Sequence, residues 1–371
     1  MKKILIGLST KQNPKEAVLE LKEKFNDNNV KAITFFASFN YEPAELIAAM
    51  NENFPNIQVF GCSTAGEIIS GQICADSIVA MAFTDEVFED IKIEVVSNLN
   101  ADANLQPAIE SFENHYSTPL SLLDNKKYFG LIYIDGLSKK EEYILDKLGE
   151  HTNVVFIGGS AGNDFNFYDM KTIIYANGKY YENSAVLALI KSKVDFGFEM
   201  VQNFELTEHK VIATKVDEVN RIIYELDNKS AVATYSEILK IPASAIENSF
   251  LDYSFALMAD NQLYVRSVRQ TLDNSFELDC NVKQGMQLSI VKTRDIIANT
   301  KHSLEEIKKK YRSISGMLLF NCVKRYIELE VANKSEEYAK LFSDIPTVGF
   351  NTYGESFIGH INRTAAILVL G

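Results

Sequence analysis

Apolar runs of strand length alternate with amphipathic stretches along this chain, and the alternation repeats. "KAITFFASFN" (31–40) is one such run. "EPAELIAAMNENF" (42–54) then sets Leu46, Ile47, Met50 and Phe54 on one helical face. "IQVFGCSTAGE" (57–67) reads as a second strand ending in a polar loop, and "DSIVAMAFT" (76–84) as a third strand. The order recurs in "KYFGLIYIDG" (127–136), a helix opening with Ser138 and Glu141 at capping-box spacing, "NVVFIGGSAGND" (153–164) and "SAVLALI" (184–190). It recurs again in "GMLLFNCVKR" (316–325), a helix across 334–342, "IPTVGFNTYGE" (345–355) and "TAAILVLG" (364–371).

The spacings agree: Ala32 to Gly61 is 29 positions, Gly130 to Gly158 is 28 and Gly316 to Gly349 is 33. Glu67 to Ser77 and Glu355 to Ala365 are both 10 positions. The fold class expected is α/β: repeated βαββ units forming mixed sheets flanked by helices. A strand "KILIGLS" and a helix from Pro14, capped by Asn13, precede the first copy; Ala17, Val18, Leu21 and Phe25 line one face of that helix.

Between the second and third copies the texture changes. "HKVIATKVDEVNRIIYELDNKSA" (209–231) alternates and breaks at Asp227-Asn228, a hairpin signal. Residues 264–291 read as a short antiparallel meander with turns at Asp273-Asn274 and near Gly285. "SLEEIKKKYRSI" (303–314) reads as a charged helix capped by Ser303. A boundary in 205–225 gives two domains, 1–215 and 216–371. No linker is rich in Gly, Pro or Ser, so two closely packed halves are expected.

The formal charge of −13 is spread thinly with no basic block, which disfavours nucleic acid and anionic membranes as partners. Hydrophobic residues at 46% and charged residues at 23% fit a soluble globular chain. Cys62, Cys74, Cys280 and Cys322 show neither CxxC pairing nor regular spacing, the pattern of reduced thiols in a cytosol. The N-terminal apolar run ends after five residues and no stretch approaches a membrane span. A cytoplasmic protein without membrane insertion is the expectation.

Chemistry gathers in the loop of Gly61, Cys62, Ser63, Thr64, Gly66 and Glu67, and the register Gly-x-[Ser/Asn]-Thr-x-Gly-Glu returns at Gly349–Glu355 with Asn351, Thr352 and Glu355. Glycines at strand ends let backbone N–H groups approach a ligand, hydroxyls donate and accept, and a carboxylate holds an ammonium group. Such equipment suits a small zwitterion. It equally suits two self-satisfied turns. Ser160, Asn163 and Asp164 form a third loop that faces a site or merely turns. Arg325, near Cys322, and Arg266 either fork onto a carboxylate or serve as structural partners. A thiol-dependent enzyme using Cys62 ranks last, because the five histidines form no motif that supplies a base.

Taken in order, "VFGCSTAGE", "FIGGSAGND" with "YANGKYYENSAVLALI", "GMLLFNCVKR" and "VGFNTYGESF…NRTAAILVL" resemble the FIST family, over nearly the whole chain. The resemblance implies paired FIST N-terminal and C-terminal domains. It implies a bacterial sensor that binds a small polar ligand, an amino acid or derivative, between its halves. No output domain is visible, so output passes by contact to a histidine kinase, chemoreceptor or cyclic-nucleotide enzyme. The motif carries the candidate positions Gly61–Glu67, Gly158–Asp164, Cys322 with Arg325, Asn351–Glu355, and Asn362 with Thr364. No cofactor is expected. The alternative is a haem-binding nitric oxide sensor, as in one branch of the family, which would fall on His360. In the family a histidine often stands directly before Asn-x-Thr; here Ile361 holds that position and His360 sits one earlier, a departure that counts against haem.

Overall fold

A computed structural model of the chain describes residues 3–26, 29–165, 168, 171–259 and 262–371. They form two compact units: residues 1–201, 301–360 and 365–371 make the first, residues 202–300 and 361–364 the second.

The first unit contains all three copies, each as an interrupted sheet. In every copy two strands run parallel, joined by helical chain: Val30–Ala37 with Gln58–Ser63, Tyr128–Asp135 with Phe156–Ala161, and Gly316–Cys322 with Thr347–Thr352. A further strand of the same copy, Ile78–Thr84, Ser184–Ser192 or Ala365–Leu370, lies antiparallel on the outer side of the first. An edge strand, Ile4–Ser9, Phe88–Ser97 or Phe196–Val201, closes that side. This much is the expected α/β unit with mixed sheets flanked by helices.

The other side of each sheet is completed by a different copy. The hairpin Glu67–Ile69/Gln72–Cys74 of the first copy adds to the third copy's strand Thr347–Thr352. The hairpin Ile174–Ala176/Lys179–Tyr181 of the second adds to the first copy's Gln58–Ser63. Glu355–Phe357 of the third adds to the second copy's Phe156–Ala161. Three six-stranded sheets result, with the same strand order and a cyclic exchange of hairpins.

One glycine per copy fixes the parallel pairing. Gly61, Gly158 and Gly349 stand opposite Phe35, Ile132 and Leu319, and a Cβ on any of them would overlap that partner's carbonyl oxygen. The residues after those partners, Phe36, Tyr133 and Phe320, point the other way and meet as a triangle with ring centroids 5.3, 6.2 and 6.1 Å apart. Phe350 packs on all three. The copies around this triangle are equivalent in topology, each with the same strand order and the same exchange. The helix-facing layers of the first two sheets hold separate apolar clusters, Ala17 to Tyr175 and Val96 to Leu189.

The second unit is an eight-stranded antiparallel sheet. Its helix Ala231–Leu239 buries Val232 and Tyr235 against Ile223, Phe255 and Phe276.

Several local expectations hold. Asn13 accepts from Lys15 N and Glu16 N at the first helix, and Asp227 and Asn228 both take positive φ in their turn. Others change. The helix Glu141–His151 has no side-chain cap; Ser138 instead donates to Asp135 O, turning the chain at the strand end. The charged helix spans Ile296–Lys310 and is started by Asp295, which accepts from Ile297 N and Ala298 N, so Ser303 is interior. The helical stretch of the third copy is two helices, Val323–Val331 and Ser335–Lys340. The meander is not sequential: Ser275–Leu278 pairs with Val268–Leu272 and Ile222–Leu226, while Gln287–Thr293 pairs elsewhere. The cut expected at 215 falls inside the strand Phe204–Asp217. The compact units divide differently because the C-terminal strands complete sheets begun near the N-terminus.

Candidate functional site

Each parallel pair ends, on its carboxyl side, in a glycine-bearing loop. In open α/β sheets that is where ligand crevices form. The three loops are bonded to one another in a ring. Ala65 N donates to Asn351 O (3.1 Å) and Asn351 N to Gly66 O (2.8 Å). Gly162 N donates to Ser63 O (3.0 Å) and Ser63 N to Ile173 O (2.8 Å). Tyr353 N donates to Ser160 O (3.2 Å) and Ser160 N to Gly354 O (2.8 Å). At least two backbone bonds therefore join every neighbouring pair of copies, and Asp164 N to Thr64 O (2.9 Å) adds a third between the first and second. Segments 288 positions apart, around Thr64 and Thr352, lie side by side within one unit.

Side chains repeat the symmetry. Thr64 Oγ1 donates to Glu67 Oε1 and accepts from Gly66 N; Thr352 Oγ1 donates to Glu355 Oε1 (3.1 Å) and accepts from Gly354 N (2.8 Å). Glu67 Oε2 also accepts from Ser77 N (3.2 Å) and Ser77 Oγ (2.5 Å). Burial pushes the Glu67 carboxyl up to about 8, against the pull of its Ser77 and Thr64 hydrogen bonds. The closed clasp therefore favours the protonated form of Glu67. The sequence equivalent, Asp164, accepts from Ser38 Oγ (2.5 Å) and Phe39 N (2.8 Å), and burial raises it too. Asn163 accepts from Tyr353 Oη (2.5 Å).

The serines of this ring are occupied. Ser63 Oγ donates to Gly162 O (2.6 Å) and accepts from Ile173 N (2.9 Å), while Ser160 Oγ reaches Glu141 Oε1 at 3.5 Å. Gly61, Ser63, Thr64, Glu67, Ser160, Asn351, Thr352 and Glu355 are all buried. The loops form a closed polar clasp in this structure, and most of its side chains satisfy one another. Cys62 is fully buried with its thiol pushed well up by burial, so it has neither the access nor the charge of a nucleophile.

The third copy differs from the other two beneath its helices. Arg325 Nε donates to Asn321 Oδ1 (3.1 Å), Tyr338 Oη to the same oxygen (3.0 Å), and Asn321 Nδ2 to Asn351 Oδ1 (2.9 Å). The guanidinium carbon of Arg325 lies 5.8 Å from the centre of the Tyr338 ring. All four side chains are fully buried. Burial raises the Tyr338 hydroxyl; Arg325 acts to lower it and Glu355 to raise it, so both charges are felt there. Cys322 ends the strand just ahead of this group.

The remaining expected positions lie elsewhere. Arg266, Asn362 and Thr364 belong to the second unit, and His360 is a buried residue of the first. Cys280 Sγ is 2.6 Å from Asn362 Oδ1, Thr364 accepts from Gln202 Nε2 (3.0 Å), and Arg266 lies opposite Phe255 at a strand end. Sequence reasoning missed Asn321, Tyr338 and Arg363. Arg363 donates to the carbonyls of Phe250 and Leu251 and to Ser254 Oγ, with Phe204 beneath it at 4.8 Å. For Asn321 a signal existed: an Asn inside the apolar run "MLLFNC" is buried and needs partners.

Among the described residues, no helix is long and apolar enough to cross a membrane. Residues 31–229 match the FIST N domain and residues 231–357 the FIST C domain. An uncharacterized protein of Methanocaldococcus jannaschii is 26% identical over 327 residues, 80% of this chain. The match covers 61% of that relative's length.

Proposed function

The chain belongs to the FIST family, whose domains are sensory modules of signal transduction, and from that premise we propose that it senses a small polar ligand, an amino acid or derivative, at the ring of glycine-bearing loops. One observation carries the reading: loops from both family domains are bonded side by side at the carboxyl ends of parallel strands, with Glu67, Glu355 and Arg325 buried around them. A turn needs no buried acids and arginine; a zwitterion's ammonium would supply the counter-charge that lets the buried Glu67 ionise, and its carboxylate suits the arginine. Because the loops are bonded to one another, entry requires a loop to part from its neighbour. A ligand that binds the parted state then shifts the population towards it, which is what a sensor requires. The changed surface is read by contact with a signalling protein in the cytoplasm: a histidine kinase, chemoreceptor or cyclic-nucleotide enzyme. Four cysteines that form no disulfide with one another suit that reducing compartment.

Isothermal titration calorimetry against the twenty L-amino acids tests the reading. One of them is expected to bind, and Glu67→Ala and Glu355→Ala to weaken it about tenfold or more. Titrations flat across the whole set, or an affinity that both variants leave untouched, would reject the site.

A further inference from the structure

The shared strand order makes each copy a control for the others. At the position two residues after the shared glycine stand Ser63, Ser160 and Asn351. At the strand position two residues after Phe35, Ile132 and Leu319 stand Ala37, Ile134 and Asn321. In the first two copies that second position is plain core: Ala37 and Ile134 belong to the helix-facing apolar clusters. In the third an amide occupies it, with Arg325 and Tyr338 donating to its oxygen. A buried polar network stands where its counterparts have hydrocarbon.

That network has a direction. Arg325 and Tyr338 donate to Asn321 Oδ1, so Asn321 must turn its Nδ2 outward, and it donates that to Asn351 Oδ1. Asn351 is thereby forced to present its own Nδ2. This nitrogen is buried and, among the described residues, has no hydrogen-bond partner. It faces Gly66, lying 2.9 Å from where a Cβ on that residue would stand, and Gly66 takes φ of 109°. The equivalent Ser63 spends its hydroxyl on Gly162 O and Ile173 N. The donors of this network point along one line, and the line ends on an N–H pair that no described residue accepts. Leaving such a group unmet is costly, and it is met when an acceptor arrives.

We propose that the Asn321–Asn351 amide relay of the third copy is the carboxylate subsite: a small carboxylic ligand places an oxygen on Asn351 Nδ2 as the Ala65–Gly66 strap moves aside. This rests on the sensory reading above and assigns it to one of three related loops. A carboxylate suits the position because Arg325 stands behind the relay and polarises it towards the free N–H. The strap is tied to Asn351 by two backbone bonds, Ala65 N to Asn351 O and Asn351 N to Gly66 O, so docking at the relay and release of the strap are one event.

The test is thermal unfolding of the full chain with each L-amino acid, and with acetate as the bare carboxylate. It compares the natural sequence with Asn351→Ser, which installs the residue the other two copies use. Asn321→Ala, which restores the first copy's residue, serves as a second variant that frees the relay without touching the loop. An amino acid that raises the melting temperature of the natural protein is expected to lose about tenfold or more in affinity in either folded variant. Equal shifts in the natural protein and the variants would overturn the subsite and leave the sensory reading standing. No shift with any amino acid or acetate would overturn both.

Discussion

Glu67 is a carboxylic acid in a place that favours its proton. Burial lifts it from 4.5 to about 8, although three donors from Thr64 and Ser77 reach its oxygens. The consequence for stability has a definite sign. Below pH 4.5 the group is protonated in both folded and unfolded chains, and its contribution is complete. Between 4.5 and 8 the unfolded chain releases a proton the folded one keeps, so stability falls by about 1 kcal/mol per pH unit. Above 8 the folded state ionises too and the loss is complete. Glu67→Gln, which mimics the neutral acid, is expected to flatten this decline. Urea denaturation at about pH 5 and about pH 8 measures it: the natural protein should lose more stability between the two than the variant. Asp135 and Asp164 are raised by burial in the same direction, so part of the slope should remain. An equal slope in both proteins would show that Glu67 is ionised throughout.

At the scale of elements, glycine does two opposite jobs. Gly349 lets strand Thr347–Thr352 approach the Leu319 carbonyl, and no rotation relieves a Cβ placed there, because the obstacle is backbone. Gly149 lies in the last turns of the helix Glu141–His151, and a Cβ added there would meet nothing within 4 Å. Gly349→Ala is expected to cost more than about 3 kcal/mol. Gly149→Ala should instead stabilise by about 0.5–1 kcal/mol, because glycine loses more backbone freedom in a helix than alanine. Thermal denaturation of the two variants beside the natural protein checks both signs. These elements were legible in the sequence because their cause is local. The three glycines, the polar loops behind them and the apolar run before each are readable from spacing alone. The hairpins were not: a three-residue strand such as Glu67–Ile69 carries no mark of which edge it joins, and its partner lies about 280 residues away. Candidate chemistry divided the same way. Thr64, Glu67, Thr352 and Glu355 were found through their shared register, while the Asn321–Asn351 bond depends on a side-chain geometry that spacing does not encode.

For the whole molecule, the hairpin exchange makes the sequence boundary between the two family domains unlike a folding boundary. A fragment of residues 1–229 retains the FIST N match but keeps only one of the three exchanges, the second copy's hairpin on Gln58–Ser63. The first copy's hairpin loses strand Thr347–Thr352, and the second copy's sheet is left with an open edge at Phe156–Ala161. Phe36 and Tyr133 lose Phe320 and Phe350, opening the aromatic centre on one side. Unpaired strand edges and exposed aromatics favour association over folding. Residues 1–229 expressed alone are therefore expected to unfold without a cooperative transition and to be cut rapidly by protease. Co-expression with residues 230–371 should restore the hairpin ring and yield a stable heterodimer by size exclusion. A cooperative, protease-resistant 1–229 fragment would mean that the exchanged hairpins are accessory. Signal transmission would then have to be sought within one domain, whereas an obligate exchange ties every movement of the Thr64–Glu67 loop to the third copy that holds it.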